Sequence, residues 1–435
     1  MFTALFYGVY RIKQSGYACA VALALSGVIP AVANGQPLLT FEHALRLAQD
    51  RSRQLASHDY AGTAAREMAV AAAQLPDPTL TAGINNLPIN GADRFSLTRD
   101  FMTMRSVGLM QQFTRSDKRT ARAARYEREA EASLAGRTAT LADLQRDTAL
   151  AWLDRHYQER IREVLRAQRN EALLQIEAAD AVYRGGRGSQ ADVFLARSAV
   201  AQIDDRIAQA EQQIEVATTR LARWVGAEAS LPLGPPPESG AIDYDVALLQ
   251  YHVDHHPQIE LLLRQEQVAR AEVEIAQANR RSDWSAELMY SQRGPEYSNM
   301  ISINFSIPWQ IDRAKRQDRE LAAKLAQIDQ LQAQREEISR EHLADTLTWL
   351  RQWRSNRDRL VRYEDSLVPL ATERTRAALA AYRGNSASLG TVLEARRMEI
   401  DTRLERVRLE MENAGIWAKL EFLLPAGSVH RGESK

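Results

Sequence analysis

Hydrophobic residues follow two different periods along this chain. In four stretches they alternate with small or polar residues, which predicts β-strands with one apolar face. These stretches lie at about residues 79–87, 104–114, 284–292 and 299–309. Elsewhere apolar residues recur at spacings of three and four, as at Leu150, Leu153 and Tyr157. That spacing predicts long helices with a coiled-coil stripe, which a partner helix must cover.

The same order of elements occurs twice. Ala-Val-Tyr-Arg-Gly around Tyr183 is echoed by Ala-Ala-Tyr-Arg-Gly around Tyr382, about 200 residues later. Each half predicts two short helices, two strands, one very long helix and one medium helix. A two-copy repeat of this length is a duplicated domain, because solenoid units are only about 20–50 residues long.

The boundaries of the two repeats follow from this order. The first repeat is predicted at 34–230, with a helical hairpin at about 116–225. The second is predicted at 244–425, with its hairpin at about 312–424 and Pro369 as the one expected kink. Between them, the proline-rich segment 231–243 is predicted to be a connector. Residues 426–435 form a C-terminal tail.

The first long helix has no proline, and at about 1.5 Å per residue it is expected to span about 100 Å. No compact domain of this size buries such a rod. The hairpins are therefore expected to extend away from the strands.

The N-terminus has the layout of a secretory signal peptide. Arg11 and Lys13 precede an apolar stretch at 16–29, which is followed by Ala-Val-Ala ending at Ala33. The alternative is a membrane anchor, but about 14 apolar residues are too few to span a bilayer comfortably. We therefore predict a signal peptide at 1–33. Cys19, the one cysteine of the chain, lies within it, so disulfides and zinc fingers are excluded.

Composition excludes several function classes. The chain has 56 Lys+Arg and 56 Asp+Glu, whereas a nucleic-acid-binding surface normally needs a basic excess. An apolar fraction of 45% and a mean hydropathy of −0.40 exclude a bundle of transmembrane helices but not a membrane β-barrel. No nucleophile–base pair or carboxylate cluster with a plausible pocket is apparent, so we predict neither an enzyme nor a cofactor.

The strands have the length and alternation of tilted membrane-barrel strands. In the last of them Ile301, Ile303 and Phe305 alternate with serine and asparagine. A half-buried soluble sheet gives the same alternation and stays an alternative. Four strands cannot close a membrane barrel alone, and lipid does not tolerate an open edge, so several copies must pool their strands.

Two segments carry a resemblance to a known family. The tyrosine, glycine-rich turn and helix start at 183–193, repeated at 382–392, strongly resemble the outer membrane factor family, the TolC-type channels. More weakly, 95–113 is similar to the CzcC-type heavy-metal branch. The resemblance implies a mainly α fold with a β-barrel segment. It also implies a homotrimer with a 12-stranded outer-membrane barrel and a periplasmic α-helical tunnel.

The resemblance also implies a location and a function. Such a protein lies in the lipid of the Gram-negative outer membrane and extends into the periplasm, where it meets a membrane-fusion adaptor and an inner-membrane RND-type pump. The expected function is a passive exit duct for small solutes, chiefly heavy-metal cations. Alternatives are a duct for drugs or a type I secretion substrate, or a soluble periplasmic coiled-coil scaffold.

The resemblance implies site residues at the two turns. Adaptor contacts at the periplasmic tip are expected at Tyr183, Arg184, Gly185, Gly188, Arg383 and Gly384. The gate or constriction is expected at Asp192, Tyr382, Thr391 and Glu394. A basic partner expected five residues after the second tyrosine is Ala387 here.

Both acids of the expected gate have a simpler reading. Three copies of Glu394 would raise one another's pKa and attract cations, but Glu394 could also be a solvated acid paired with Arg396 or Arg397. Asp192 could be a first-turn acid that the helix dipole favours.

A histidine cluster suggests a metal site only weakly. His252 and His256 have a spacing that can hold a metal, with His255 beside them. They stand at a helix boundary before Pro257, and we predict no metal site there.

Overall fold

The computed structural model describes residues 37–240, 242 and 255–425. In the first repeat two short helices precede two strands, a 69-residue helix, a second long helix and a 3₁₀ turn. These elements are α1 (Phe41–Arg51), α2 (Arg53–Ala72), β1 (Thr79–Asn85), β2 (Met104–Phe113), α3 (Ser116–Arg184), α4 (Gln190–Val225) and the 3₁₀ turn Gly226–Ser230.

The second repeat has the same order. Its described elements are α5 (Pro257–Asn279), β3 (Trp284–Gln292), β4 (Met300–Ser306), α6 (Gln317–Arg362), a π-helical turn (Tyr363–Leu367), α7 (Val368–Arg383) and α8 (Leu389–Glu421). The predicted fold class is confirmed: the chain is mainly α-helical, with two long helical hairpins and two strands from each repeat.

The four strands form one antiparallel sheet in the order β1-β2-β3-β4. The repeats meet at its centre, where Val107 of β2 lies opposite Tyr290 of β3 and Leu109 lies opposite Leu288. Strands β1 and β4 therefore form the two edges of the sheet.

The main core lies where the hairpins meet the short helices. Trp152 of α3 is fully buried and packs edge-on against Phe41 of α1, with 5.6 Å between ring centroids. Its indole N–H donates to the carbonyl oxygen of Leu39 at 3.2 Å. Trp417 and Phe422, from the end of the second hairpin, join the same cluster. This core ties the two repeats together.

The segment 231–240, predicted as a plain connector, also makes backbone contacts. Leu39 N donates to the carbonyl of Pro232 at 2.9 Å, and Gly234 N donates to the carbonyl of Leu39 at 3.1 Å. These bonds form a short parallel bridge between Leu39 and Leu233. The connector therefore closes one side of the core.

The second hairpin departs from the prediction at two places. Helix α6 begins at Gln317 rather than near residue 312, because Asp312 accepts a hydrogen bond from Lys315 N at 3.2 Å and holds a turn there. The expected kink at Pro369 takes the form of the π turn at 363–367, directly before it. Proline removes one backbone donor and crowds the preceding turn, which a wider π turn relieves.

Two strands are shorter than predicted. Strand β4 ends at Ser306, ahead of Pro308, which has no N–H to extend the ladder. Strand β1 ends at Asn85, because Asn86 has a left-handed backbone with φ of 56°.

None of the helices in the described part of the chain has an apolar stretch long enough to span a bilayer. The predicted signal peptide, most of the start of the second repeat and the tail at 426–435 lie outside the described residues.

Candidate functional site

The two turns that close the helical hairpins are built in the same way. In the first, Arg187 N donates to the carbonyl of Val182 at 3.1 Å; in the second, Ser386 N donates to the carbonyl of Ala381 at 2.9 Å. This bond is typical of the Schellman ending of a helix, which satisfies the last free carbonyls. The duplicated sequence signature therefore produces duplicated geometry.

The left-handed residue of each turn is not the glycine that the sequence singled out. Gly185 and Gly384 have ordinary φ values of −76° and −78°. The next residues, Gly186 and Asn385, have φ of 71° and 58°. Sequence reasoning missed them, although glycine and asparagine are the residue types favoured at this position.

The two tip tyrosines have different surroundings. Tyr183 is 43% exposed, and the neighbouring Arg184 is exposed and ion-paired with Asp180. Tyr382 is partly buried and packs on an apolar cluster near the turns. That cluster consists of Ala179, Val193, Ala196, Leu389 and Val392. Only the first tyrosine is thus free to contact another molecule with much of its ring.

The remaining tip residues divide into exposed and packed positions. Arg383 and Gly384 are exposed. Gly188 is packed: a Cβ there would lie 3.0 Å from Cγ1 of Val182. The equivalent position of the second turn holds Ala387, so the two turns pack differently at this point.

Asp192 belongs to a capping box at the start of α4. Its backbone N–H donates to Ser189 Oγ at 3.2 Å, while its Oδ2 accepts from Ser189 N at 3.1 Å and from Ser189 Oγ at 2.8 Å. Thr391 takes the same place on α8, where its N–H donates to Ser388 Oγ at 3.3 Å. Both residues start their helices.

Glu394 lies one turn further along α8 and is exposed. The two arginines that could have neutralised it are engaged elsewhere. Arg396 is ion-paired with Glu171, and Arg397 lies 3.9 Å from Asp401. Glu394 lines a groove of about 390 Å³ between α4 and α8. It has no ion-pair partner within the described residues.

Arg396 is a buried connection that the sequence did not reveal. Its side chain is only 9% exposed; besides pairing with Glu171, it donates to Gln168 Oε1 at 3.3 Å. Both partners lie on α3, more than 200 residues earlier in the chain. No local pattern could have indicated this pair.

Glu399, also buried, holds α7 against α8. Its Oε1 accepts from Thr372 Oγ1 at 3.1 Å and from the Arg403 guanidinium at 2.9 Å. Burial by itself would raise the pKa of Glu399, but hydrogen bonds from Thr375, Arg403 and Thr372 and the charge of Arg403 outweigh it and lower the pKa. This carboxylate therefore stays ionised within the hairpin.

The described histidines have structural roles. His256 caps α5 by accepting from Gln258 N at 3.2 Å, and its ring stacks on His342 at 4.2 Å. Burial lowers the pKa of His256 to about 4. Across residues 37–240, 242 and 255–425, no group of three or more histidine, cysteine or acidic side chains could hold a metal ion. His252 lies outside the described residues.

One face of the sheet is apolar and open. Nine large apolar side chains on this face are at least 47% exposed. They are Leu80, Ile84, Val107, Leu109, Leu288, Tyr290, Ile301, Ile303 and Phe305. Two apolar rows cross all four strands: Leu80, Leu109, Leu288 and Ile303 form one, and Ala82, Val107, Tyr290 and Ile301 form the other.

The opposite face of the sheet carries mostly small and polar side chains, together with the four methionines Met104, Met110, Met289 and Met300. Asn304 donates to Glu287 Oε2 at 3.3 Å, and Asn85 donates to Ser106 Oγ at 2.9 Å. Met110 lies opposite Glu287 on this face. The sheet thus separates an apolar surface from a polar one.

Sequence comparisons identify no relatives: no protein-family model matches the chain, and neither does any curated protein. Solved structures do match. The outer membrane protein VceC from Vibrio cholerae is similar at a TM-score of 0.72 and 18% identity, over 88% of this chain and 95% of that one.

Two further structures agree. The channel protein CusC matches at a TM-score of 0.74 and 15% identity, over 87% of this chain and 91% of its own. A membrane protein from Pseudomonas aeruginosa matches at a TM-score of 0.75 and 15% identity, over 88% of this chain and 92% of its own. The chain therefore has the fold of outer-membrane channel proteins.

Proposed function

We propose that this chain is the outer-membrane channel of a tripartite efflux system and a member of the outer membrane factor (TolC) family. It lies in the outer membrane of a Gram-negative cell and extends into the periplasm. There it provides a passive exit path that an adaptor and an inner-membrane pump open. It carries out no catalysis.

The observation that carries the proposal is the open apolar face of the sheet. Nine large apolar side chains stand exposed, and seven of them lie in two rows that cross all four strands, as at Leu109, Leu288 and Ile303. A contiguous apolar surface of this kind is not left in water without a partner. Lipid on the apolar side and water on the polar side match the two faces of a membrane-barrel sheet.

The edges of the sheet lead to the trimer. Strands β1 and β4 each leave one side unpaired among the described residues. A membrane does not tolerate unpaired strand edges, so β4 of one copy pairs with β1 of the next. Three copies supply 12 strands, enough to enclose a passage, and their hairpins continue it as a helical tunnel.

The solved channels support this assignment through their fold. The similarity extends over nearly nine-tenths of the chain. A periplasmic scaffold with a soluble sheet would have no reason to keep the apolar face open.

We place the adaptor contact at the two hairpin turns. The proposed contact residues are Tyr183, Arg184, Gly185, Gly188, Arg383 and Gly384. The exposure of Tyr183 and Arg383 supports this role. The turns also end the parts of the molecule furthest along the hairpins from the sheet, where an inner-membrane RND-type pump and its adaptor would approach.

We place the gate next to these turns, on the side toward the sheet, at Asp192, Tyr382, Thr391 and Glu394. The absence of a neutralising partner for Glu394 within the described chain supports an acidic ring in the trimer. Three facing carboxylates attract cations and disfavour anions at a constriction. Thr391 fixes the start of α8, which carries Glu394, and Asp192 fixes the start of α4.

We propose heavy-metal cations as the cargo. The unpaired Glu394 and the acid Glu287 on the polar face of the sheet would favour cations along the path. A duct for drugs or for a type I secretion substrate is the other possibility, because the pump largely selects the cargo. Deletion of the gene followed by challenge with zinc, cobalt, cadmium, copper, a dye and an antibiotic separates these cargoes.

Fractionation and conductance test the channel itself. The protein should sediment with outer membranes, require detergent for extraction, run as a trimer and form ion-conducting pores in planar bilayers. Release by osmotic shock as a monomer without conductance would instead establish the periplasmic scaffold.

The acidic ring has its own test. In planar bilayers Glu394→Ala should lower the ratio of cation to anion permeability. The matched control is Glu336→Ala, another exposed acid, on α6. An unchanged ratio in Glu394→Ala would remove the ring proposal while leaving the channel intact.

A further inference from the structure

The segment that joins β4 to α6 presents three apolar side chains to the outside, Ile307, Trp309 and Ile311, of which the last two are the most exposed. Trp309 is 86% exposed and Ile311 is 87% exposed, the highest values among the large apolar residues of the described chain. They follow directly on the open apolar face of β4. These two side chains therefore continue that face beyond the end of the sheet.

The alternation of this segment is fixed by hydrogen bonds to the body of the protein. Ser282 Oγ donates to the carbonyl of Pro308 at 2.6 Å. Gln310, half-buried, donates through Nε2 to the carbonyl of Asn279 at 3.0 Å. Because the Pro308 carbonyl and the Gln310 side chain are bonded to the body of the protein, Trp309 and Ile311 are left facing outward.

A cluster of cations follows within a few residues. Four basic side chains are exposed there: Arg313, Lys315, Arg316 and Arg319. Three acids lie nearby, Asp312, Asp318 and Glu320, and they balance only part of this cluster. Asp312 lies 3.8 Å from Lys315, and Asp318 is 2.9 Å from Arg280 of α5.

Three arginines of the cluster are left over. Within residues 37–240, 242 and 255–425, no ion pair or hydrogen bond engages the guanidinium groups of Arg313, Arg316 and Arg319. Set against the one remaining acid, Glu320, these three arginines leave the junction of the second repeat with about two unbalanced positive charges beside an exposed tryptophan.

The same junction in the first repeat is neutralised inside the chain. Lys118 is buried and lies 3.1 Å from Asp283, and Arg115 pairs with Asp117 at 3.2 Å. Arg119 donates to the carbonyl of Ala73 at 3.0 Å. Since the two junctions descend from one repeat, the open charges of the second are a specific property of that copy.

We propose that this junction, Trp309 to Arg319, binds the phosphate groups of anionic phospholipids at the periplasmic face of the outer membrane. Trp309 and Ile311 enter the interfacial layer, where aromatic side chains are favoured. Arg313, Arg316 and Arg319 reach the headgroups, because guanidinium groups bind phosphate in a bidentate manner. The inference rests on the proposed membrane channel and names a lipid that it selects.

Charge favours lipid over the other available occupant, an acid of a neighbouring copy. Asp77 is exposed just before the free edge strand β1, so a second copy could bring it close to this junction. One carboxylate cannot balance three guanidinium groups. It would also leave Trp309 and Ile311 in water.

The experiment reconstitutes the full-length trimer in vesicles of phosphatidylethanolamine with a minor share of phosphatidylglycerol. The trimer is then extracted gently, and native mass spectrometry identifies the lipids that stay bound. The test variant is Arg313→Gln/Arg316→Gln/Arg319→Gln. The control is Arg351→Gln/Arg354→Gln/Arg362→Gln, which removes the same charge from exposed positions further along α6.

Phosphatidylglycerol should be enriched over its share in the vesicles for the wild type and the control. The test variant should lose this enrichment by about tenfold. Each basic residue at a membrane surface contributes a preference of roughly fivefold at most, and about twofold for each of the three arginines gives this loss. The triple Arg→Lys variant should keep much of it. If the triple glutamine variant does not assemble, Arg316→Gln alone should give a loss of about twofold or more.

Equal enrichment in the wild type and the test variant would overturn the inference. The inference would also be overturned if the test variant lost its trimers but kept its lipid enrichment, and Asp77→Asn lost its trimers as well. The arginines would then bind a second copy of the chain. A wild-type protein that does not insert into vesicles at all would contradict the proposed channel itself, which distinguishes the two failures.

Discussion

The two helical hairpins of this protein descend from one repeat but are held together differently. The first packs apolar side chains near its tip: Val200 of α4 is buried in an apolar cluster, and Leu173 and Ile176 of α3 pack against that cluster. Helix α3 runs for 69 residues without interruption. This hairpin is a continuous rod with a hydrophobic seam.

The second hairpin has polar residues at the equivalent positions. Thr372, Thr375 and Glu399 stand 199 residues after Leu173, Ile176 and Val200. Glu399 is bound by Thr372 and Arg403, and a π turn interrupts the long helix directly before Pro369. Its seam therefore depends on hydrogen bonds and charge, with little hydrophobic burial.

This difference indicates a division of labour between the repeats. A hydrophobic seam has no directional requirement, whereas a polar seam is satisfied only in particular arrangements. In the proposed channel the first hairpin would keep its shape, while the second could shift between discrete arrangements as the tip opens. The following experiments exchange features between the two.

The largest effect is expected from placing the acid of the second seam in the first. Val200→Glu puts a carboxylate into the apolar cluster of the first hairpin. The counterpart of Arg403 there is Asp204, whose negative charge would repel the new carboxylate. We expect the free energy of unfolding to fall by about 3–5 kcal/mol, the range for an unpaired buried charge. Thermal unfolding of the purified protein measures it.

The matched exchange is Glu399→Val. It removes the acid and leaves Thr372 and Thr375 without that acceptor, at a cost of about 1–2 kcal/mol. Equal losses in both variants would contradict the proposed difference between the seams.

A second exchange concerns the backbone. Asn170 of α3 corresponds to Pro369, and its exposed side chain makes it a test of the backbone alone. Asn170→Pro should cost about 3 kcal/mol, because it removes a helical hydrogen bond and crowds the preceding turn. Pro369→Ala should change the free energy of unfolding by less than about 1 kcal/mol, since the π turn already accommodates the proline. A large gain in Pro369→Ala would show that the π turn stores strain.

The sequence reveals features that depend on local period and misses those that depend on distant partners. Alternation and three-four spacing predict the fold class because burial repeats with the geometry of strands and helices. The pairing of Arg396 with Glu171 joins helices far apart in sequence, and the equivalent Arg197 is exposed. The motif around Tyr183 located both turns but not the left-handed residues Gly186 and Asn385, which take their roles from where each helix ends.

A third test uses pH on the polar seam. The pKa of Glu399 is lower in the folded protein than its ordinary value of 4.5. As the pH falls, the unfolded chain therefore takes up this proton first. The stabilisation by Glu399 is complete above about pH 4.5 and is lost as the pH falls through the lowered value.

Glu399→Gln should remove that part of the pH dependence and cost about 1–3 kcal/mol at neutral pH. Thermal unfolding from neutral to acidic pH measures both effects. The control Glu336→Gln, an exposed acid on α6, should follow the wild-type curve. A Glu399→Gln curve parallel to that of the wild type would show that another acid governs the acid response.

The smallest expected effect separates the two turns. Gly186 has φ of 71° with no heavy atom within 4 Å of an added Cβ, so Gly186→Ala changes only the backbone preference. It should cost about 1 kcal/mol, whereas Asn385→Gly should change the free energy of unfolding by only a few tenths, because asparagine tolerates this conformation but glycine adopts it freely. Gly185→Ala, one residue earlier with φ of −76°, is the control and should be neutral or slightly stabilising. If Gly185→Ala were as costly as Gly186→Ala, the requirement for glycine would come from contacts at the tip rather than from the left-handed backbone. The two turns would then differ by more than one residue type.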